Sequence, residues 1–417
     1  MPSSTQKRHR PSLRSAAIYL LCSLVPASAA PRRHSPPGGP FRALQSVPTG
    51  MALSRVITGL YANDTAPAQI VVHDVNGRPS WTWSAADAAA QADMPADLLR
   101  CIQSPTAVPE AKWANSGRSV LSIYNAAALI INHAPGGGDG DGQDKRVTFG
   151  VCLDRDGMTN THSLELVPDG QLAIATTNPS AAGSIVVFNV SAGLQANAAP
   201  AQSLNGLPAA HGLVWDEAAR LLWGVGNSAD PSGALPAAPA LAGYRYGRGA
   251  FQSTSPTYLY NVTGSAAGAG VKLGTEWNGT EYAEWWDGGH DVTGVPGRRQ
   301  LLFSTDTDLH VFDIDSQTFE SGAAVARKYL PGFMPVDSRV GADGQALPRS
   351  DIKSLSIDGN HNVLYVQAAW QDVTSNHINL LENGRLQPGL TYSQALYRAR
   401  WFADTPTWPK ARMQPSS

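Results

Sequence analysis

Six basic residues recur in one context: a small or apolar residue, then Lys, His or Arg, then an apolar run. They are Lys112 (Ala111-Lys112-Trp113), His162 (Thr161-His162-Ser163), His211 (Ala210-His211-Gly212), His290 (Gly289-His290-Asp291), Lys353 (Ile352-Lys353-Ser354) and Arg400 (Ala399-Arg400-Trp401). Three imidazoles brought together can hold a divalent metal. Alternatively, one imidazole acts as general base while Lys and Arg neutralise a carboxylate. That pairing suits proton abstraction beside a uronate carboxyl, a β-elimination. On this reading His211 and His290 are base and metal-ligand candidates, and His162 is the third ligand. Lys112, Lys353 and Arg400 bind an anionic small molecule or oligosaccharide. Glu165, Asp216 and Asp291 lie one to five residues from the histidines and are candidates for acid–base work or for orienting an imidazole. The competing explanation is structural, since polar residues on inner strands can simply tie neighbouring sheets together.

Other residues carry weaker signals. His73, His133, His310, His361 and His377 fall outside the register and are expected on the surface or in loops. Trp277, Trp285 and Trp286 lie in a long insert leading to His290, where a rim tryptophan, Trp285 above all, can stack on a sugar. Trp113, Trp215, Trp223 and Trp401 sit on apolar runs and are expected between sheets. The Asp139–Asp141 and Asp313–Asp315 stretches lack the full spacing of a calcium loop. Phosphate-cradling loops, nucleophile elbows and zinc-protease motifs are missing from the sequence.

The elements needed to position the six are short strands. After the middle four, a second apolar run starts at Leu172, Leu221, Leu301 and Val363, 10, 10, 11 and 10 residues on. Spacings between the six are 50, 49, 79, 63 and 47 residues. The shorter ones suit a four-stranded blade of roughly 40–50 residues. Such units cannot bury their own apolar faces, so they must stack or close into a ring. The expected fold is an all-β, six-bladed β-propeller of four-stranded blades. The run 395–402 has the signature of a first strand, and the first repeat lacks one, so the C-terminal strand is expected to close the first blade. In the fifth repeat, residues 323–330 are expected as the outer strand. The one helical stretch is 84–100, broken at Pro95.

Charged residues are 15% of the chain and the net charge is −2, which offers nothing to nucleic acid or an acidic membrane. Residues 1–29 read as a signal peptide: Lys7, Arg8, Arg10 and Arg14, an apolar run over 16–25, then Ala27-Ser28-Ala29. Residues 30–50 read as a disordered leader, 51–405 as the propeller and 406–417 as a disordered tail. With Cys22 in the signal, Cys101 and Cys152 are expected to form one disulfide in an oxidising compartment. Sequons begin at Asn63, Asn189, Asn261 and Asn278 and suit a glycosylated secreted monomer.

The series H-S-x-E (162–165), H-G-x-x-W-D (211–216), G-G-H-D (288–291), I-K-S (352–354) and Y-x-A-R-W (397–401), with W-x-W at 81–83, resembles a family of secreted bacterial and fungal β-propellers without a settled activity. The resemblance implies the fold over about 55–402 and no particular reaction. A histidine-rich channel is similar in kind to that of propeller polysaccharide lyases, which have seven blades, and their catalytic residues do not map onto this chain. The leading expectation is a metal-assisted uronate lyase. The alternatives are a non-catalytic glycan- or protein-binding propeller and a lactonase-like hydrolase, the last disfavoured because such sites draw on Glu, Asn and Asp.

Overall fold

The computed structural model describes residues 55–402 apart from 104–106, 116, 136–143, 155–157, 178–183, 230–237, 263–286, 335, 337, 338, 341–345 and 370–372. All of them belong to the compact unit Ser46–Ser417. The expected signal peptide, leader and tail, Asp139–Asp141, Asn278 and Trp277, Trp285 and Trp286 lie outside the described residues.

The fold is all-β, built from antiparallel sheets. In chain order the elements open with β1 (Arg55–Leu60), β2 (Gln69–His73), β3 (Pro79–Trp83), α1 (Ala85–Ala89) and α2 (Ala96–Gln103). One sheet then joins β4 (Glu110–Ala114), β5 (Ser119–Tyr124), β6 (Ala127–Asn132) and β7 (Val147–Cys152). Another joins β8 (Thr161–Val167), β9 (Gln171–Thr176), β10 (Ile185–Asn189) and β11 (Gln202–Leu204). The next contains β12 (Gly212–Asp216), β13 (Leu221–Asn227), β14 (Pro239–Gly247), the short β15 (Ala250–Phe251) and β16 (Tyr258–Asn261). It is followed by β17 (Gly289–Gly294), β18 (Gln300–Thr305), β19 (Leu309–Asp313), β20 (Thr318–Ser321) and then α3 (Ala323–Tyr329). A small ribbon, β21 (Arg339–Val340) with β22 (Ala346–Leu347), precedes β23 (Ile352–Ile357), β24 (Val363–Gln367), β25 (Ser375–Glu382) and β26 (Arg385–Phe402).

The strand β26 serves two neighbours. It pairs with β25 from Arg385↔Glu382 to Leu396↔Ser375, with register shifts on the way, and its last residues pair with β1, from Leu396↔Leu60 to Phe402↔Arg55. The C-terminal strand therefore covers the inner edge of β1. First strands contact one another in the order β4, β8, β12, β17, β23, β26 and back to β4. Each of these strands has an edge without a ladder partner, so its buried N–H groups there need other acceptors. Side chains of neighbouring strands supply them: the Leu213 N–H donates to Ser163 Oγ (3.3 Å), Leu355 to Asp291 Oδ2 (2.7 Å) and Ala399 to Ser354 Oγ (3.2 Å).

Local chemistry explains the helices. Ser84 and Asp87 form a capping box at α1, so the expected helical stretch begins there. Residues 323–330, expected as a strand, form α3 instead. Gly322 leaves β20 at φ 83°, and Val325, Ala326 and Tyr329 then share one buried face at helical spacing. The outer strand of that sheet is β20, a few residues earlier. Three histidines expected at the surface or in loops are buried in or beside the sheets: His73, His133 and His310. His310, stacked on Phe303, is held down to about 3 by burial and by Arg349. Trp223 and Trp401 are buried between sheets as expected, whereas Trp113 and Trp215 are only partly covered.

A buried ion cluster ties the first strands together. Glu110 on β4 accepts from Arg398 Nη1 (2.9 Å), Arg400 Nε (3.2 Å) and Arg400 Nη2 (2.8 Å), both arginines on β26. Arg400 also pairs with both oxygens of Asp291 on β17 and donates to the Leu355 carbonyl on β23. Burial alone would raise the Glu110 carboxyl, but Arg400 and Arg398 overcome it and bring it down to about 2.

Cys101 and Cys152 form a disulfide across 51 residues, joining α2 to β7. Loop closure of that length contributes about 4 kcal/mol, so a Cys101→Ser/Cys152→Ser double variant should lose about that much in urea unfolding. Glu110→Ala leaves two buried guanidinium groups sharing Asp291 and should cost about 3–5 kcal/mol in the same assay. A loss below about 1 kcal/mol would show that water or rearrangement replaces the carboxylate.

Candidate functional site

The six basic positions divide into two groups. His162, His211, His290 and Lys353 gather at one end of the inner strands. Lys112 and Arg400 sit elsewhere, in regular ladder register opposite Leu121 and Ile57. The physical reason is backbone irregularity. Thr161 pairs with Thr176 and Ser163 with Ala175, leaving His162 as an inserted residue. The same happens at His290, between Gly289↔Thr305 and Asp291↔Ser304, and at Lys353, between Ile352↔Gln367 and Ser354↔Val366. A β-bulge re-aims the extra side chain out of the ladder. His211 reaches the same end because it directly precedes β12, its N–H donating to the Val225 carbonyl (2.9 Å). A Cβ on Gly212 would stand 2.9 Å from the Asp291 Cα, so glycine is what allows β12 and β17 to approach this closely.

The imidazoles touch. Ring centroids of His162 and His211 are 4.0 Å apart, and those of His211 and His290 are 4.9 Å apart. Tyr397 of β26 completes the group, its hydroxyl 2.8 Å from His211 Nε2 and its ring 5.2 Å from that of His162. Burial holds His162 and His211 well below the usual imidazole value, reinforced by Arg398, by Lys353 and by the other rings. Both are therefore neutral at physiological pH.

Each outer histidine is oriented by a partner. His162 Nε2 lies 2.9 Å from Asn160 Oδ1, and His290 Nε2 lies 2.6 Å from Asp306 Oδ1. Burial works against ionisation of Asp306, yet His290 and Lys353 hold its carboxyl below the usual range. A carboxylate can only accept, so Nε2 of His290 carries the proton. The Nδ1 atoms of both His162 and His290 are buried with no hydrogen-bond partner among the described residues, as are Asn227 Nδ2 and Arg398 Nε. Buried polar atoms without partners are rare, and two of those among the described residues are ring nitrogens of this one group, while Gln171 Oε1 and Trp223 Nε1 lie elsewhere.

Lys353 extends the cluster. Its ammonium is 2.6 Å from Asp351 Oδ1 and 3.0 Å from His290 Nε2. Asp287, next to Asp306, is pushed up to about 7 by burial and by that neighbouring charge. Ligand atoms all within 4.8 Å of one another come from His290, Asp306 and Asp351, rather than from the three histidines expected to share a metal. Lys353 contacts two of those three, so a cation already stands among them. The set Cys101, Cys152 and Asp154 is equally compact, but its thiols are consumed by the disulfide.

Other sequence candidates have partners of their own. Lys112 Nζ is 2.7 Å from Glu165 Oε2, with Glu165 raised by burial despite that ammonium. Arg400 is engaged by Glu110 and Asp291. Asp216 is buried and takes a two-pronged contact from Arg299 (2.9 and 2.6 Å). The sequons at Asn63, Asn189 and Asn261 are exposed. Sequence reasoning missed Asn160, Tyr397, Arg398, Asp306 and Asp351. Tyr397 and Arg398 stood inside the Y-x-A-R-W motif, but nothing local in the sequence ties Asp306 to His290.

No protein-family model matches the chain, and no curated protein matches it, so the family resemblance of the motifs gains no support there. Among solved structures the chain is similar to "Dihydro-heme d1 dehydrogenase NirN in complex with DHE", at 12% identity and TM-score 0.36, covering 84% of this chain and 57% of that one. It is also similar to a chain of "Crystal Structure of Mitotic Checkpoint Complex", at 12% identity and TM-score 0.39, covering 89% and 90%. The chain thus spans little more than half of the first protein, and likenesses this distant carry no argument about activity.

The neutral histidines have a consequence for stability. The unfolded chain protonates its imidazoles near 6.5 while folded His162 and His211 resist, so the unfolded state binds more protons below that pH. Stability from these two groups is complete above about 6.5 and falls as the pH drops further. Asp287 works in the opposite direction over part of the range. The measurement is therefore a difference: His211→Gln should show a shallower loss of urea midpoint between about pH 7 and pH 5 than the parent. Equal slopes would remove His211 as a source.

Proposed function

We propose that the chain is a secreted six-bladed β-propeller whose histidine end is an acid–base site of a carbohydrate-active enzyme, acting by β-elimination on a uronate-containing glycan. The circuit of contacting first strands and the shared strand β26 support the architecture. One disulfide and three exposed sequons suit export and glycosylation, and among the described residues no helix is long and apolar enough to cross a membrane.

One observation carries the chemical reading: Asp306 holds His290 through Nε2, and His290 Nδ1 is buried with no hydrogen-bond partner among the described residues. Such an atom is a general base, most effective when its ring is neutral. In the proposed step Nδ1 takes the proton on the carbon beside the uronate carboxylate. The C–H electrons form the ring double bond as the glycosidic C–O bond at the adjacent carbon breaks. Tyr397 gives its proton to the leaving oxygen and becomes a phenolate; the proton taken up by His290 then returns to it through the His211 ring between them, 2.8 Å from the Tyr397 hydroxyl, so His290, His211 and Tyr397 all end as they began. Lys353 stabilises the negative charge that builds on the carboxylate. Lys112 and Arg400, held by their own carboxylates, take no part in this scheme.

A divalent ion at His290, Asp306 and Asp351 is the second reading, favoured by their compact ligand atoms. It requires Lys353 to move aside. Metal analysis of the purified protein separates the two, since a stoichiometric ion excludes Lys353 from its present place.

Incubation with a panel of uronic-acid polymers should give ultraviolet absorbance from an unsaturated product. His290→Ala and Asp306→Asn should each lower the rate by about 100-fold or more, with substrate binding largely kept. Absence of new absorbance across the panel, with binding retained, would favour a glycan-binding protein over an enzyme. Full activity in His290→Ala would end the mechanism.

A further inference from the structure

The opposite ends of the inner strands carry a second concave surface that the histidine chemistry does not use. Along β12, His211 lies just before the first residue and Trp215 four residues on, about 13 Å away at strand rise. Trp215 borders a cavity of about 540 Å3 formed where turns of three sheets meet: β4–β5, β8–β9 and β12–β13. Its size falls within the range of small-ligand sites, about 300–1,000 Å3.

The lining has a definite chemical character. Trp215 is partly exposed and held in place, its ring edge-on to Tyr246 and its N–H donating to Glu217 Oε2 (2.6 Å). Glu217 and Asp169 contribute carboxylates, and Asn115, Asn132 and Thr148 contribute amides and a hydroxyl. Asp169 is fixed by the Tyr246 hydroxyl at 3.0 Å. None of the described lining residues is Lys, Arg or His. Such a surface repels anions. It fits a ligand that is rich in hydroxyl donors and has an apolar face to lay on an indole, since hydroxyls donate to carboxylates and C–H faces pack on aromatic rings.

We infer that this cavity is a binding site for a neutral oligosaccharide, separate from the histidine end. The ligand's hydroxyls donate to Glu217 and Asp169, accept from the Asn115 and Asn132 amides, and one sugar ring rests on Trp215. The site does not depend on the acid–base reading, because none of its lining residues belongs to the histidine cluster.

The test is titration calorimetry of the full mature chain with neutral gluco-, manno- and xylotriose, and with trigalacturonate as the acidic control. At least one neutral trisaccharide should bind. Thr148→Arg, at an exposed position on the cavity wall, should weaken that binding at least about tenfold, as should Trp215→Ala. His290→Ala should leave it unchanged. Should Trp215→Ala fail to fold, Thr148→Arg decides alone. Binding of none of the neutral trisaccharides at millimolar concentration would overturn the proposal. So would a Thr148→Arg affinity equal to the parent's, or neutral-sugar binding lost in His290→Ala. Loss or gain of elimination activity bears on the other end only.

Discussion

A carboxylate with no access to water, shared by two guanidinium groups, is the constraint on which the rest of the molecule depends. Glu110 on β4 receives Arg398 and Arg400 from β26, so the second sheet and the C-terminal strand cannot separate without exposing unpaired charge. Arg400 passes the connection to Asp291 on β17. Arg398 passes it further, donating from Nη2 to the backbone carbonyls of His211 (3.2 Å) and His290 (2.7 Å). A buried ion cluster is a poor source of net stability, because desolvation offsets most of the attraction. Its value here is register. The strands meet in an alignment that pairs both guanidinium groups with Glu110 and Asp291, and the same alignment sets His211 and His290 edge to face.

The histidine end then follows from backbone geometry laid over that register. Bulges at His162, His290 and Lys353 release those side chains from the ladder, while Lys112 and Arg400, lying in unbroken pairing, stay among the charges deeper in the strands. The result is a site in which His162 and His211 stay neutral beside paired acidic and basic groups. Lys353 is countered by Asp351, and Asp306 by His290.

Much of this was legible in the residues. The second apolar runs, expected from Leu172, Leu221, Leu301 and Val363, fall within a residue of the starts of β9, β13, β18 and β24, and the run near the C-terminus with the signature of a first strand pointed to the pairing of β26 with β1. The common sequence context of His162, His211 and His290 marked residues that do converge. The same pattern misled at Lys112 and Arg400, because a bulge and a regular pair look alike in sequence. Residues 323–330 read as a strand on apolar content alone, and the glycine that ends β20 decided for a helix. His73, His133 and His310 were misplaced because their burial depends on what packs over each sheet.

By itself, then, the order of residues determined the strand-rich class, the disulfide pair and the recurring basic positions, since these depend on local periodicity and composition. Only the tertiary structure decided which of those positions share a site and what charge they keep. Asp306 lies 16 residues from His290, and Tyr397 lies 186 from His211. Proton placement at a ring nitrogen depends on the atom opposite it, and no pattern along the chain specifies that atom until the sheets have closed around it.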